Sequence, residues 1–184
     1  AVQSVHEARW SGADLLIGGS GAITAHGLAR LGLDVALVAE VGEDLFGRLM
    51  LERLAAAGVG TELIRRTTER ATGLSVVLSA AESRSTLTYL GAIDADPPPW
   101  HQVEDLPRAR HLHVTSYYLQ RRLAAVLPRL LRLARGAGMT ISLDTNLDPD
   151  GAFTGIGDVL ALVDLTFPNA AEALSMAAAV GRPT

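Results

Sequence analysis

Gly18-Gly19-Ser20-Gly21 is the first stretch of this chain whose residue types could do chemistry. A turn poor in Cβ atoms lets backbone N–H groups close on an oxygen-rich ligand. Three further places carry carboxylates and amides. Gly42 and Asp44 follow the apolar run ending at Val41, Asp144 and Asn146 follow the run ending at Leu143, and Asn169 and Glu172 follow the run ending near Phe167. Ligands of parallel sheets sit beyond the C-terminal ends of the strands, so three strand ends would deliver oxygen donors to one edge. A purely structural reading stays open for each pair, since Asn169-x-x-Glu172 is also capping-box spacing. His111 and His113 flank Leu112 and share a strand face. Such a pair can bind zinc, but no third ligand is apparent, which favours a buried or capping role. His26, inside the first helical stretch, faces a pocket or the core.

The elements that must hold these groups alternate between strand and helix, the pattern of a mostly parallel sheet covered by helices. The apolar run over 35–41 reads as a buried strand. The spacing of Phe46, Leu49, Leu54 and Ala57 predicts a helix over 45–57 that stops at Gly58. Residues 74–78 and 85–90 read as two strands joined by a polar turn, and alternation in the second predicts one wet face. Pro97-Pro98-Pro99 makes a stiff boundary. Strands follow over 111–116 and 139–144, with a helix over 119–135 that Pro128 should bend. Gly155-Ile156-Gly157-Asp158 reads as a loop and helix start. A last helix runs over 169–180 with Asn169 as its N-cap.

Composition narrows the classes. The chain has 184 residues, 48% of them hydrophobic, enough for one domain with a substantial core. No apolar run approaches the roughly 20 residues that span a bilayer. Cysteine is absent, which removes disulfides and thiolate chemistry and fits a cytoplasmic setting. All 16 basic residues are arginine, so there is no Gly-Lys-Ser/Thr phosphate loop and no lysine Schiff base. A net charge of −4 gives no nucleic-acid footprint, and Arg121, Arg122, Arg129, Arg132 and Arg135 read as the solvated side of an amphipathic helix.

Taken in order, these segments resemble the ribokinase-like (phosphofructokinase-B type) sugar kinases. The likeness is carried by Gly18-Gly19-Ser20-Gly21-Ala22-Ile23-Thr24-Ala25, Leu28-Ala29-Arg30-Leu31-Gly32, Val41-Gly42-Glu43-Asp44-Leu45-Phe46-Gly47, Thr72-Gly73-Leu74, Ser142-Leu143-Asp144-Thr145-Asn146 and Phe167-Pro168-Asn169-Ala170-Ala171-Glu172. It implies a doubly wound α/β fold with a small β lid: one incomplete domain over 1–184, with lid strands near 1–17 and 73–93. The implied activity is ATP-dependent phosphorylation of a hydroxymethyl group on a sugar or related small molecule. Gly18, Gly19, Gly21, Thr24, Asp44 and Ser116 would face the substrate. Asp144, Asn146 and Asn169 would lie by the nucleotide phosphates, and Glu172 would hold Mg²⁺ through water. The family's base, an Asp in a Gly-Ala-Gly-Asp segment, is expected downstream of this chain, which alone would be inactive. The likeness also implies a homodimer through the lid.

Four positions depart from the family pattern, the first being Thr145, which stands where proline is common. Ile23 and Ile93 stand where an amide is usual, and Asp148 stands where an arginine is often found. A buried sugar hydroxyl left without a partner costs about 1–3 kcal/mol, so the pocket suits a less hydroxylated substrate or draws on Thr24, Thr115, Ser116 or Tyr117. Packing within the helix is the alternative role for Ile23. Three other functions remain open: a nucleoside kinase, disfavoured by 4% aromatic content; a non-catalytic small-molecule sensor of the same fold; and a dehydrogenase domain, for which residues 18–23 lack the third glycine.

Overall fold

A computed structural model describes residues 12–182 apart from 81, 82, 147 and 149. Helix α1 (Ser20–Arg30) leads through a short turn to strand β1 (Ala39–Gly42), helix α2 (Leu45–Ala56) and strand β2 (Ile64–Thr67). Then come the hairpin strands β3 (Leu74–Ala80) and β4 (Ser83–Tyr89), strand β5 (His111–Val114), helix α3 (Arg121–Gly136) and strand β6 (Thr140–Leu143). Helix α4 (Ile156–Leu160), strand β7 (Leu165–Thr166) and helix α5 (Ala170–Ala179) complete the described order. β1 and β2 pair in parallel, as do β5, β6 and β7, whereas β3 and β4 are antiparallel. This is the α/β class expected.

Burial follows the pattern. Leu112 and Val114 align with Ile141 and Leu143 on one face of the β5–β7 sheet. There they meet Leu127, Leu131 and Ala134 of α3, Ile156 and Val159 of α4 and Met176 of α5. A second cluster joins Ala25 of α1, Val41 of β1, Leu54 of α2, Val59 and Ile64. The exposed side of α3 carries Arg121, Arg122, Arg132 and Arg135, while Arg129 is half-buried and donates to the Trp100 carbonyl at 2.6 Å. α3 continues through Pro128.

Several expectations shift. The 35–41 strand narrows to β1 plus one parallel bridge, Ala36 to Gly60. β2, with Arg65 and Arg66 at its centre, was hidden because exposed arginines gave it no apolar run. Residues 85–90 are exposed at every position rather than on alternate ones, because among the described residues no layer covers either face of the hairpin. The expected lid strand near 1–17 lies outside the described residues up to residue 11, and residues 12–17 carry no strand pairing.

Polar contacts stitch the two sheets together. The Glu40 side chain, 7% exposed, takes Arg65 at 3.0 Å and Arg70 at 3.6 Å. Arg70 reaches Asp96 at 3.9 Å and the Asp94 carbonyl at 3.2 Å. Arg122 at the start of α3 pairs with Asp96, and its N–H donates to Asp94 Oδ1 at 3.0 Å.

Candidate functional site

β5, β6 and β7 run parallel, so their C-terminal ends share one edge of the sheet. Ser116, the Asp144–Asn146 segment and the Asn169–Glu172 pair leave from that edge. The glycine turn joins them through Ser20, whose Oγ lies 2.6 Å from Ser116 Oγ. A Cβ on Gly21 would come within 3.3 Å of Thr115 Oγ1, so the absence of a side chain lets α1 approach β5 closely. Gly19 is the N-cap of α1 with φ +82° and no side-chain cap, which leaves the first N–H groups of the helix open at this edge. Ser116 itself has φ +54°, a strained backbone for serine. Thr24 lies one turn further along α1 and is half-buried.

The β6 end is built from oxygens. Asp144 Oδ1 accepts the Asn146 N–H at 3.2 Å. Asn146 adopts φ +53°, and its Oδ1 is buried without a hydrogen-bond partner among the described residues, as is Thr145 Oγ1. Asp148 is buried and accepts N–H bonds from Asp150 at 3.1 Å and Phe153 at 2.7 Å. A carboxylate therefore ties this loop down where an arginine could not accept.

At the β7 end, Asn169 Oδ1 accepts the Glu172 N–H at 3.0 Å and Glu172 Oε2 accepts the Asn169 N–H at 3.0 Å. The capping box anticipated from the spacing is thus made, and it also fixes the buried Glu172 carboxylate at the rim. No group of three His, Asp or Glu side chains among the described residues could cage a metal ion. Oxygen donors on two adjacent strand ends, one of them orphaned, instead fit a hard cation that keeps most of its water and phosphate ligands.

Asp44 stands apart, at the end of β1. Its Oδ1 accepts the Gly47 N–H at 2.8 Å and the Thr72 hydroxyl at 2.9 Å, and its Oδ2 accepts the Thr72 N–H at 2.7 Å. Burial raises its pKa, but these hydrogen bonds, led by the Thr72 and Gly47 N–H groups, hold the carboxyl below its ordinary value.

The remaining candidates resolve individually. His111 and His113 share a face as expected, and both bond the buried Ser142 hydroxyl at 2.7 Å; His111 also bonds Thr140 at 2.7 Å. Burial lowers the His113 pKa, opposed by Asp144 and aided by His111. Tyr117 is buried in the core below the rim, with a pKa raised by burial and then by Asp158. Ile23 is 55% exposed, which corrects the packing role considered for it. It lines a groove of about 480 Å³ with Leu16, Ile17, His26, Arg30 and Arg53, running down α1 away from the rim. Sequence reasoning missed Thr72 as a partner of Asp44 and Ser20 as a partner of Ser116. These pairs are 28 and 96 residues apart, and no local signal marks them.

The chain matches the description "pfkB family carbohydrate kinase" over residues 11–181. It is 32% identical over 170 residues to 2-dehydro-3-deoxygluconokinase of Bacillus subtilis, covering 85% of this chain and 52% of that protein. Fructokinase with bound ATP from Xylella fastidiosa superposes with a TM-score of 0.70 at 28% identity, over 90% of this chain and 55% of that one. A putative ribokinase II in complex with ATP and Mg²⁺ from E. coli gives 0.72 at 22% identity, over 92% and 58%. The chain spans about half the length of the curated relatives it matches.

Proposed function

Because this chain belongs to the pfkB family of carbohydrate kinases, we propose that it supplies the substrate- and phosphate-facing rim of an ATP-dependent kinase. That enzyme phosphorylates a hydroxymethyl group on a sugar or a related small molecule. The observation that carries the reading is the convergence of three parallel strand ends and the glycine turn, closed by the Ser20–Ser116 bond.

The open N–H groups after Gly19 and the glycines at 18, 19 and 21 form the floor under the substrate, with Thr24 and Ser116 offering hydroxyls. Asp144, Asn146 and Asn169 face the phosphates, and the orphaned Asn146 Oδ1 takes a donor from the ligand shell. Glu172, oriented by its bond to Asn169, holds a water of the Mg²⁺ shell. Mg²⁺, when bound, neutralises charge on the phosphate oxygens as the phosphoryl group moves. The base that takes the hydroxyl proton is assigned to a part of the enzyme outside this chain. Copies pair through the β3–β4 hairpin, whose Val76, Val77, Leu87 and Tyr89 are all exposed, since a lone two-stranded ribbon is marginal in water. We place the enzyme in the cytoplasm, a compartment that supplies ATP and where a chain without cysteine needs no oxidising setting.

Glu172→Gln in the full-length enzyme tests the assignment. Glutamine keeps an oxygen for the Asn169 N–H, so the cap survives while the charge is lost. Turnover should fall by about 10- to 100-fold and the Mg²⁺ concentration for half-maximal rate should rise. Unchanged Mg²⁺ dependence in steady-state assays would remove Glu172 from the metal site.

A further inference from the structure

Asp44 has the residue type of a ligand for substrate hydroxyls, yet both of its oxygens are already engaged. Two of the three hydrogen bonds its carboxylate accepts come from one residue, through Thr72 N–H and Thr72 Oγ1, and the same Oγ1 accepts the Gly42 N–H at 2.9 Å. Thr72 is buried and stands two residues before β3. The packing around this knot has no slack. A Cβ on Gly42 would fall 2.7 Å from both the Arg70 carbonyl and the Thr72 nitrogen, and one on Gly91, just past β4, would fall 2.3 Å from the Ala71 carbonyl. Both strands of the hairpin therefore leave the body at a single point, and beyond it the hairpin is exposed on both faces.

We propose that Asp44 is a positioning residue, a latch that fixes the root of the β3–β4 hairpin to the end of β1, rather than a ligand of the substrate. The angle at which the hairpin leaves the body is then set by the Asp44–Thr72 bonds. This deepens the kinase reading, on which the importance of the hairpin as a cover rests, but its test needs no catalysis.

Amide hydrogen exchange on the chain provides that test, comparing the parent with Thr72→Val, Asp44→Asn and the double variant. Valine removes only the hydroxyl, and asparagine sets an N–H against the Thr72 N–H. Each single variant should speed exchange in residues 74–89 by roughly ten- to a hundredfold while β5 and β6 keep their protection. The double variant should add little to either single, and Thr72→Ser should restore the parent rates. Unchanged exchange in the hairpin, uniform acceleration across the whole chain, or failure of serine to rescue would overturn the latch. If Asp44→Asn unfolds the chain, the Val and Ser variants at position 72 decide alone. Loss of the kinase reading, for example through unaltered Mg²⁺ dependence in Glu172→Gln, leaves these exchange rates untouched.

Discussion

At the scale of single residues, the tightest constraint on the chain is at Gly47. A Cβ there would stand 2.1 Å from the Gly42 carbonyl oxygen and 2.9 Å from Thr72 Oγ1. Gly47→Ala must push β1 and α2 apart, and a chemical denaturation midpoint should report a loss of about 3 kcal/mol. Gly27 makes the contrast: nothing lies within 4 Å of its Cβ position in exposed helix α1, so alanine there should gain about 0.5–1 kcal/mol in the same assay. The sequence marks both only as glycines. The difference is tertiary, arising where the Gly42-x-x-x-x-Gly47 segment folds back on itself around Asp44. The Asn169–Glu172 box, by contrast, was legible because a cap is a local device whose partners are three residues apart.

At the scale of elements, β5 shows how a strand can be half structural and half titratable. Leu112 and Val114 face the core while His111 and His113 bond Ser142 on the opposite face. Burial disfavours the charged form of His113 and holds its pKa below the ordinary 6.5. The unfolded chain therefore takes up this proton at a higher pH than the folded one. Stability present above about pH 6.5 is lost as the pH falls from there through the folded-state pKa. Urea titrations at pH 7.5 and 5.5 should show that loss, and His113→Asn should flatten it. The strand and the shared His face were readable from the alternation, whereas the dependence on Ser142 was not, because it needs the β5–β6 register. Alternation predicts one wet face for β4, just as it puts His111 and His113 on one side of β5. Periodicity says which residues share a side and nothing about whether another layer covers it.

At the scale of the whole molecule, the proposed pairing of copies rests on that exposed ribbon. If copies pair through it, Leu87→Glu places charge on the apolar patch and should convert a dimer to a monomer in sedimentation velocity, leaving the far-ultraviolet spectrum of the chain unchanged. The α/β class was legible because strand and helix alternate along the chain. The division of the parallel strands into two sheets was not, since strand order depends on contacts between distant segments.

That division has a thermodynamic consequence. Among the described residues no backbone ladder joins the two hydrophobic clusters, and an ionic chain runs between them: Glu40, Arg65, Arg70, Asp96 and Arg122, several of them in reach of solvent. Mobile ions weaken such exposed pairs while leaving oily packing intact. Cooperativity between the halves is therefore a function of ionic strength, and brine should uncouple their melting before it softens either one.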